Sequence, residues 1–162
     1  MPETVIAVIG GRRAAQSDLA TAEAVGREIA RRRAVLLCGG LGGIMEAACR
    51  GAKSERGLTV GILPGDSPSD ANPFVDLALP TGIGYTRNFL VASMASGVIA
   101  IGGSIGTLSE LSFALVRNLP VAALGSWRLD RSRLPDDARL LEASSPIEAV
   151  DFVLAPTKKG RK

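Results

Sequence analysis

Apolar residues along this chain fall in short unbroken runs, each stopped by glycine or proline, with amphipathic stretches in between. Residues 4–9 (Thr-Val-Ile-Ala-Val-Ile) close on Gly10–Gly11, residues 34–38 on Gly39–Gly40, and residues 58–63 on Pro64–Gly65. Runs of this length read as strands covered on both faces, as in a parallel sheet. Between them, residues 17–33 place Leu19, Ala22, Val25, Ile29 and Ala30 on one helical face behind Ser17 as N-cap, and residues 44–53 predict a second helix. Residues 64–74 are turn chemistry throughout and predict a long loop. Beyond it the pattern predicts a short strand over 75–79, a helix over 87–96, a strand over 98–101, a helix over 108–118 and a strand over 120–124. Residues 125–135 read as surface loop anchored by Trp127, and Ser145 before Pro146 predicts a closing helix over 146–154.

Alternation of this kind builds an α/β fold: a three-layer, Rossmann-like open sheet, mostly parallel, with helices on both faces. We expect one such domain over residues 1–156 and a basic, disordered tail over 157–162. Ligands in these sheets bind outside the C-terminal strand ends, where the glycine pairs would gather.

The 162 residues suffice to bury a sizeable core. No apolar run approaches the roughly 20 residues of a membrane span, and no basic region precedes an apolar one at the N-terminus. The expectation is a cytoplasmic protein without a membrane partner. Cys38 and Cys49 lack metal-ligand spacing and read as reduced, partly buried thiols, so no metal site is expected. Histidine is absent, which excludes Ser–His and Cys–His nucleophilic schemes and histidine metal centres. The net charge of +3 rests on arginine, part of it at Arg31–Arg32–Arg33, where it complements a helix C-terminus, and part in the tail. No aromatic residue is interleaved with that tail, so nucleic acid is not an expected partner.

Candidate chemistry concentrates where strand hands over to helix. In residues 98–110 an apolar strand runs into Gly102, Gly103 and Gly106, and a helix opens at Thr107. Such a turn collects bare backbone N–H groups and a positive helix end, which suit an anion. The turns at Gly10–Gly11, with Arg13, and at Gly39, Gly40, Gly42 and Gly43 repeat the arrangement, and Ser104 and Thr107 add hydroxyls to the third. Neither a G-x-G-x-x-G dinucleotide fingerprint nor a Walker G-K-[ST] is present. Thr107 and Glu110 stand at the spacing of a capping box, a structural account of the glutamate; it also faces the space above the turn. Arg87 at the first position of a predicted helix meets an unfavourable dipole end unless an anion is bound, and Asn88 and Tyr85 lie beside it. Arg12 and Arg13 read equally as phosphate clamp or solvated surface. Glu46 is a second carboxylate candidate, whereas Asp66 and Asp70 read as turn residues.

The run Gly102–Gly103–Ser104–Ile105–Gly106–Thr107–Leu108–Ser109–Glu110 resembles the P-G-G-x-G-T-x-x-E signature of the LOG superfamily, Rossmann-like nucleotide-binding proteins long labelled lysine decarboxylase-like. Gly40–Leu41–Gly42–Gly43–Ile44–Met45 resembles its G-G-x-x-G-[LIV]-M turn, and Thr86–Arg87–Asn88 stands where its helix-opening arginine belongs. The matches span about residues 5–124. By resemblance to the hydrolytic branch, Glu110 would stabilise oxocarbenium character or activate water, Arg87 would assist the leaving base, and the glycine turns would hold a phosphate. Three positions differ from that branch: Ile101 replaces its proline, Asn88 its lysine and Glu46 a glycine. These look more like a sister branch that includes molybdenum-cofactor carrier proteins, whose ligand is a pterin bearing a phosphate. The resemblance thus implies a binding or carrier protein for a phosphorylated nucleotide-like or pterin-like molecule, either the molybdenum cofactor or a nucleoside monophosphate. The alternative is a nucleoside 5′-monophosphate phosphoribohydrolase using Arg87 and Glu110 as catalytic residues. It also implies a homo-oligomer, dimer or larger. Lysine decarboxylase is not supported: Lys53 is the one lysine before the tail.

Overall fold

The computed structural model describes residues 4–156, and the tail expected over 157–162 lies outside the described residues. The elements run β1 (Val5–Gly10), α1 (Gln16–Arg31), β2 (Val35–Cys38), α2 (Ile44–Ser54), β3 (Thr59–Leu63), β4 (Leu77–Pro80), α3 (Arg87–Ser93), β5 (Gly97–Ile101), α4 (Ile105–Val116), β6 (Val121–Leu124), β7 (Leu140–Glu142) and α5 (Pro146–Leu154). Seven strands form one sheet in the order β4-β3-β2-β1-β5-β6-β7, and every pairing is parallel. This is the expected α/β, Rossmann-like sheet. No helix among the described residues is long and apolar enough to cross a membrane.

The central strands β1, β2, β5 and β6 are apolar throughout because both faces are covered. Ile6 and Val8 of β1 and Ile99 and Ile101 of β5 join Ala22, Val25 and Ile29 of α1, Ala48 of α2 and Val150 of α5 in one core. Their alternating neighbours Ala7, Ile9, Val98 and Ala100 join Val91 and Ala92 of α3 and Leu111 and Ala114 of α4 on the opposite face. Each fully buried Leu, Ile or Val contributes about 2 kcal/mol relative to exposure, so both layers are held by the same central strands.

The structure departs from the sequence reading in three places that bear on function. First, α4 opens at Ile105, with Ser104 as N-cap, whose backbone N–H donates to Thr107 Oγ1 at 3.2 Å. The expected Thr107–Glu110 capping box is therefore not formed: Thr107 caps Ser104, and Glu110 sits deeper in the helix with no capping duty. The chain offers both spacings, and the earlier one prevails because Gly102 (φ 56°) and Gly103 (φ 141°) bring the backbone to a helical entry before Ile105. Second, α3 stops at Ser93, three residues short of expectation, ahead of the short bend into β5. Third, a seventh strand of three residues, β7, extends the sheet beyond β6, and no periodicity announced it. The closing helix matches expectation, with Glu148 N–H donating to Ser145 Oγ at 3.2 Å.

Candidate ligand-binding site

Strand order decides which turns meet. β2, β1 and β5 are neighbours at the centre of a parallel sheet, so the turns at Gly39–Gly43, Gly10–Arg13 and Gly102–Gly106 emerge side by side at one edge. From β1 the chain winds outward to β4 and then returns to β5 on the other flank. The switch point of the sheet thus lies between β1 and β5, where open α/β sheets form their ligand crevice.

Contacts tie these turns together and distinguish packing glycines from open ones. Ile44 N–H, at the start of α2, donates to Gly11 O at 3.0 Å, joining the first turn to the second. A Cβ on Gly10 would stand 2.5 Å from the Ile44 side chain and 2.7 Å from Ile101 O; one on Gly39 would stand 2.6 Å from Arg87 Nη2. One on Gly40 would stand 2.6 Å from Leu63, and one on Gly43 2.3 Å from Gly11 O. These four glycines, together with the buried Gly11, serve close packing against neighbouring side chains and backbone. Gly42 meets nothing nearer than Glu46 Oε2 at 3.9 Å and is open. Arg12 and Arg13 are exposed. Asn72 straps the long loop over the second turn, its Nδ2 donating to Leu41 O at 2.9 Å and its backbone N–H to Gly40 O at 2.9 Å.

Arg87 and Glu110 come together beneath these turns. Arg87 Nη1 lies 3.8 Å from Glu110 Oε1, with both side chains 8% exposed. Arg87 Nη2 donates to Gly39 O at 3.3 Å and Nη1 to Asn88 Oδ1, while Nε is buried without a partner. Asn88 Nδ2 donates to Ser109 Oγ at 3.2 Å, and Ser109 Oγ donates to Gly106 O at 2.7 Å, so α3 is laced to the third turn. Burial pushes the Glu110 carboxyl up to about 8 against the opposing pull of Arg87. Burial likewise lowers the Arg87 guanidinium, with Glu110 opposing and nearby Arg12 adding to the fall. Burial thus favours the neutral form of the carboxyl even beside the guanidinium, which weakens the pairing of the two groups under the glycine turns.

A shallow hollow of about 350 Å³, widely open to solvent, lies one strand over, lined by Gly102, Gly103, Gly125, Ser126, Trp127 and Arg128 between the ends of β5 and β6. Arg87 and Glu110, buried on α3 and α4, are not in its lining. Trp127 Nε1 donates to Ser104 O at 3.0 Å, which fixes the indole against the third turn. Ser126 Oγ is buried with no hydrogen-bond partner. The turn from Gly125 to Arg128 was read only as surface loop, although its place at the C-terminal end of β6, next to β5, was a usable signal. Asp18, in the first turn of α1, was also missed: its Oδ2 would lie 2.8 Å from a Cβ on Gly102. No sequence motif marks it. Asp66 and Asp70 stay within their own loop, Asp70 Oδ2 reaching toward Gly65. The cysteines are buried and free, Cys38 Sγ lying 3.6 Å from Cys49 Sγ.

Among known proteins, the SLOG cluster4 family is matched over residues 3–150. An uncharacterized protein of Archaeoglobus fulgidus is 40% identical over 154 residues, covering 95% of this chain and 97% of that protein. The solved molybdenum cofactor binding protein from the phototrophic bacterium Rippkaea orientalis is similar at a TM-score of 0.88 and 36% identity, covering 94% of this chain and 96% of the other. The molybdenum cofactor carrier protein from Chlamydomonas reinhardtii is similar at a TM-score of 0.83 and 30% identity, covering 96% and 100%.

Proposed function

The chain belongs to the SLOG cluster4 family, and from that premise we propose that it is a binding or carrier protein for a phosphorylated pterin-like ligand, with the molybdenum cofactor as the leading candidate. The observation that carries the reading is the hollow beside the start of α4. There, N–H groups of the first helical turn, such as those of Ile105 and Gly106, have no intrahelical acceptor and sit at the positive end of the helix. They suit a phosphate, with the exposed Arg128 guanidinium at the rim adding attraction. Ser126 Oγ, buried and unpartnered, supplies a donor or acceptor that a ligand would satisfy. In this reading the residues of the third turn, Gly102, Gly103, Ser104, Gly106 and Thr107, shape and hold the phosphate pocket.

Burial of Glu110 favours binding over turnover, because a catalytic carboxyl must reach the bond it acts on. A carboxyl lifted to about 8 is nonetheless an acid poised near neutrality, and this keeps the phosphoribohydrolase reading as the alternative. Native mass spectrometry of gently purified protein, with and without added molybdopterin or nucleoside 5′-monophosphates, tests the proposal. The expected result is a retained or added phosphorylated ligand, with no free base released on incubation. Absence of any such adduct would overturn it, and base release abolished by Glu110→Gln would establish the alternative.

A further inference from the structure

Two side chains border the third turn, Trp127 within the lining of the hollow and Asp18 beside it against Gly102, and a phosphate alone explains neither. Over Gly103, a Cβ would meet Trp127 Cδ1 at 3.2 Å; over Gly102, it would meet Asp18 Oδ2 at 2.8 Å. The two adjacent glycines therefore make room, one for an indole and the other for a carboxylate. The indole is pinned by its hydrogen bond to Ser104 O and remains 36% exposed, so it is fixed in place and still offers surface. Asp18 is half-buried and enters none of the described ion pairs. Its position in the first turn of α1 complements that helix's dipole, but the dipole does not require the side chain to reach across to the end of β5.

A carboxylate repels phosphate, so what rests against Gly102 must bring hydrogen-bond donors. An ionised carboxylate has two acceptor oxygens set for a pair of parallel N–H groups. Among flat heterocycles, the edge that presents a ring N–H beside an amino group is the 2-amino-4-oxopyrimidine edge, which pterins and guanine share. Adenine and the common pyrimidines lack it, and hypoxanthine keeps the ring N–H but loses the amino group. Resting on the functional reading above, we propose that Asp18 reads this edge while Trp127 stacks on the ring. The phosphate then lies toward Ile105 and Gly106, and the site selects pterin and guanine derivatives from other phosphorylated heterocycles.

Trp127 is the sole tryptophan of the chain, so its fluorescence reports on the hollow directly. Titrations would use a phosphorylated pterin and guanosine, inosine and adenosine 5′-monophosphates, with calorimetry as a second readout. The expected order places the pterin and the guanosine nucleotide about tenfold or more ahead of the inosine nucleotide, the loss typical of one hydrogen bond to a charged group. Asp18→Asn is expected to erase that preference, bringing the guanosine nucleotide down to the level of the inosine nucleotide. Equal affinity for guanosine and inosine nucleotides, or a uniform loss for every ligand in Asp18→Asn, would overturn the inference and leave the binding function standing. Failure of every phosphorylated ligand to bind would overturn both.

Discussion

Adding one methyl group at Gly26 or at Gly51 is expected to destabilise the protein by about 3 kcal/mol, the upper range for overpacking a tight contact. Gly26 lies inside α1 and Gly51 inside α2, and the two helices cross so closely that a Cβ on Gly26 would stand 1.9 Å from Ala48 O and one on Gly51 1.9 Å from Glu23 O. The obstacle in each case is backbone carbonyl, which cannot rotate away as a side chain would. Helix propensity argues the opposite: glycine to alanine in a helix interior should gain about 1 kcal/mol. The sign of the effect therefore decides between the two. Urea denaturation of Gly26→Ala and Gly51→Ala should show midpoints well below the parent, and midpoints equal to or above it would refute close helix contact. The consequence reaches the site because α1 carries Asp18 and α2 carries the second glycine turn at its head.

The second large effect is at Glu110, where replacement by glutamine should stabilise the protein at alkaline pH. An ordinary glutamate titrates near 4.5, whereas burial raises this one to about 8. Between those values the folded chain holds a proton that the unfolded chain has released, so stability falls as pH rises through that window and levels off above it. At about 1.4 kcal/mol per pH unit the full span is several kcal/mol; allowing for relaxation around the ionised group, a loss of about 3 kcal/mol is expected. Glu110→Gln keeps the shape without the ionisation. The variant should match the parent near pH 4.5 and exceed it by about 3 kcal/mol at pH 9, as read from urea midpoints. Parallel curves for the two proteins would show that Glu110 is not held protonated.

The fold was legible because burial on both faces forces uninterrupted apolar runs, and these marked the central strands and the glycine turns that end them. The family motif placed Arg87 next to Glu110, and the structure brings them to 3.8 Å. Two physical ambiguities hid the rest. A glycine pair after a strand looks the same whether it exposes amides to a ligand or makes room for a neighbouring side chain or backbone, and Gly10, Gly39, Gly40 and Gly43 do the latter. Gly26 and Gly51, which the sequence reading did not single out, are the contact between α1 and α2. Asp18 and Trp127 are separated by most of the chain and reach the same turn only because β1, β5 and β6 lie consecutively in the sheet. No local pattern encodes such a meeting. The start of α4 was misplaced because two overlapping capping patterns share Thr107, and only the backbone of Gly102 and Gly103 chooses between them.

Backbone amide mapping by nuclear magnetic resonance tests the central claim most directly, with isotope-labelled protein titrated by a phosphorylated pterin and by guanosine 5′-monophosphate. The account predicts the largest shifts at Gly102, Gly103, Ile105 and Gly106 and at the Trp127 indole N–H, with the opposite edge of the sheet around Arg33 and Arg56 unmoved. Shifts confined to that opposite edge, or no shift at the third turn on saturation with either compound, would contradict it.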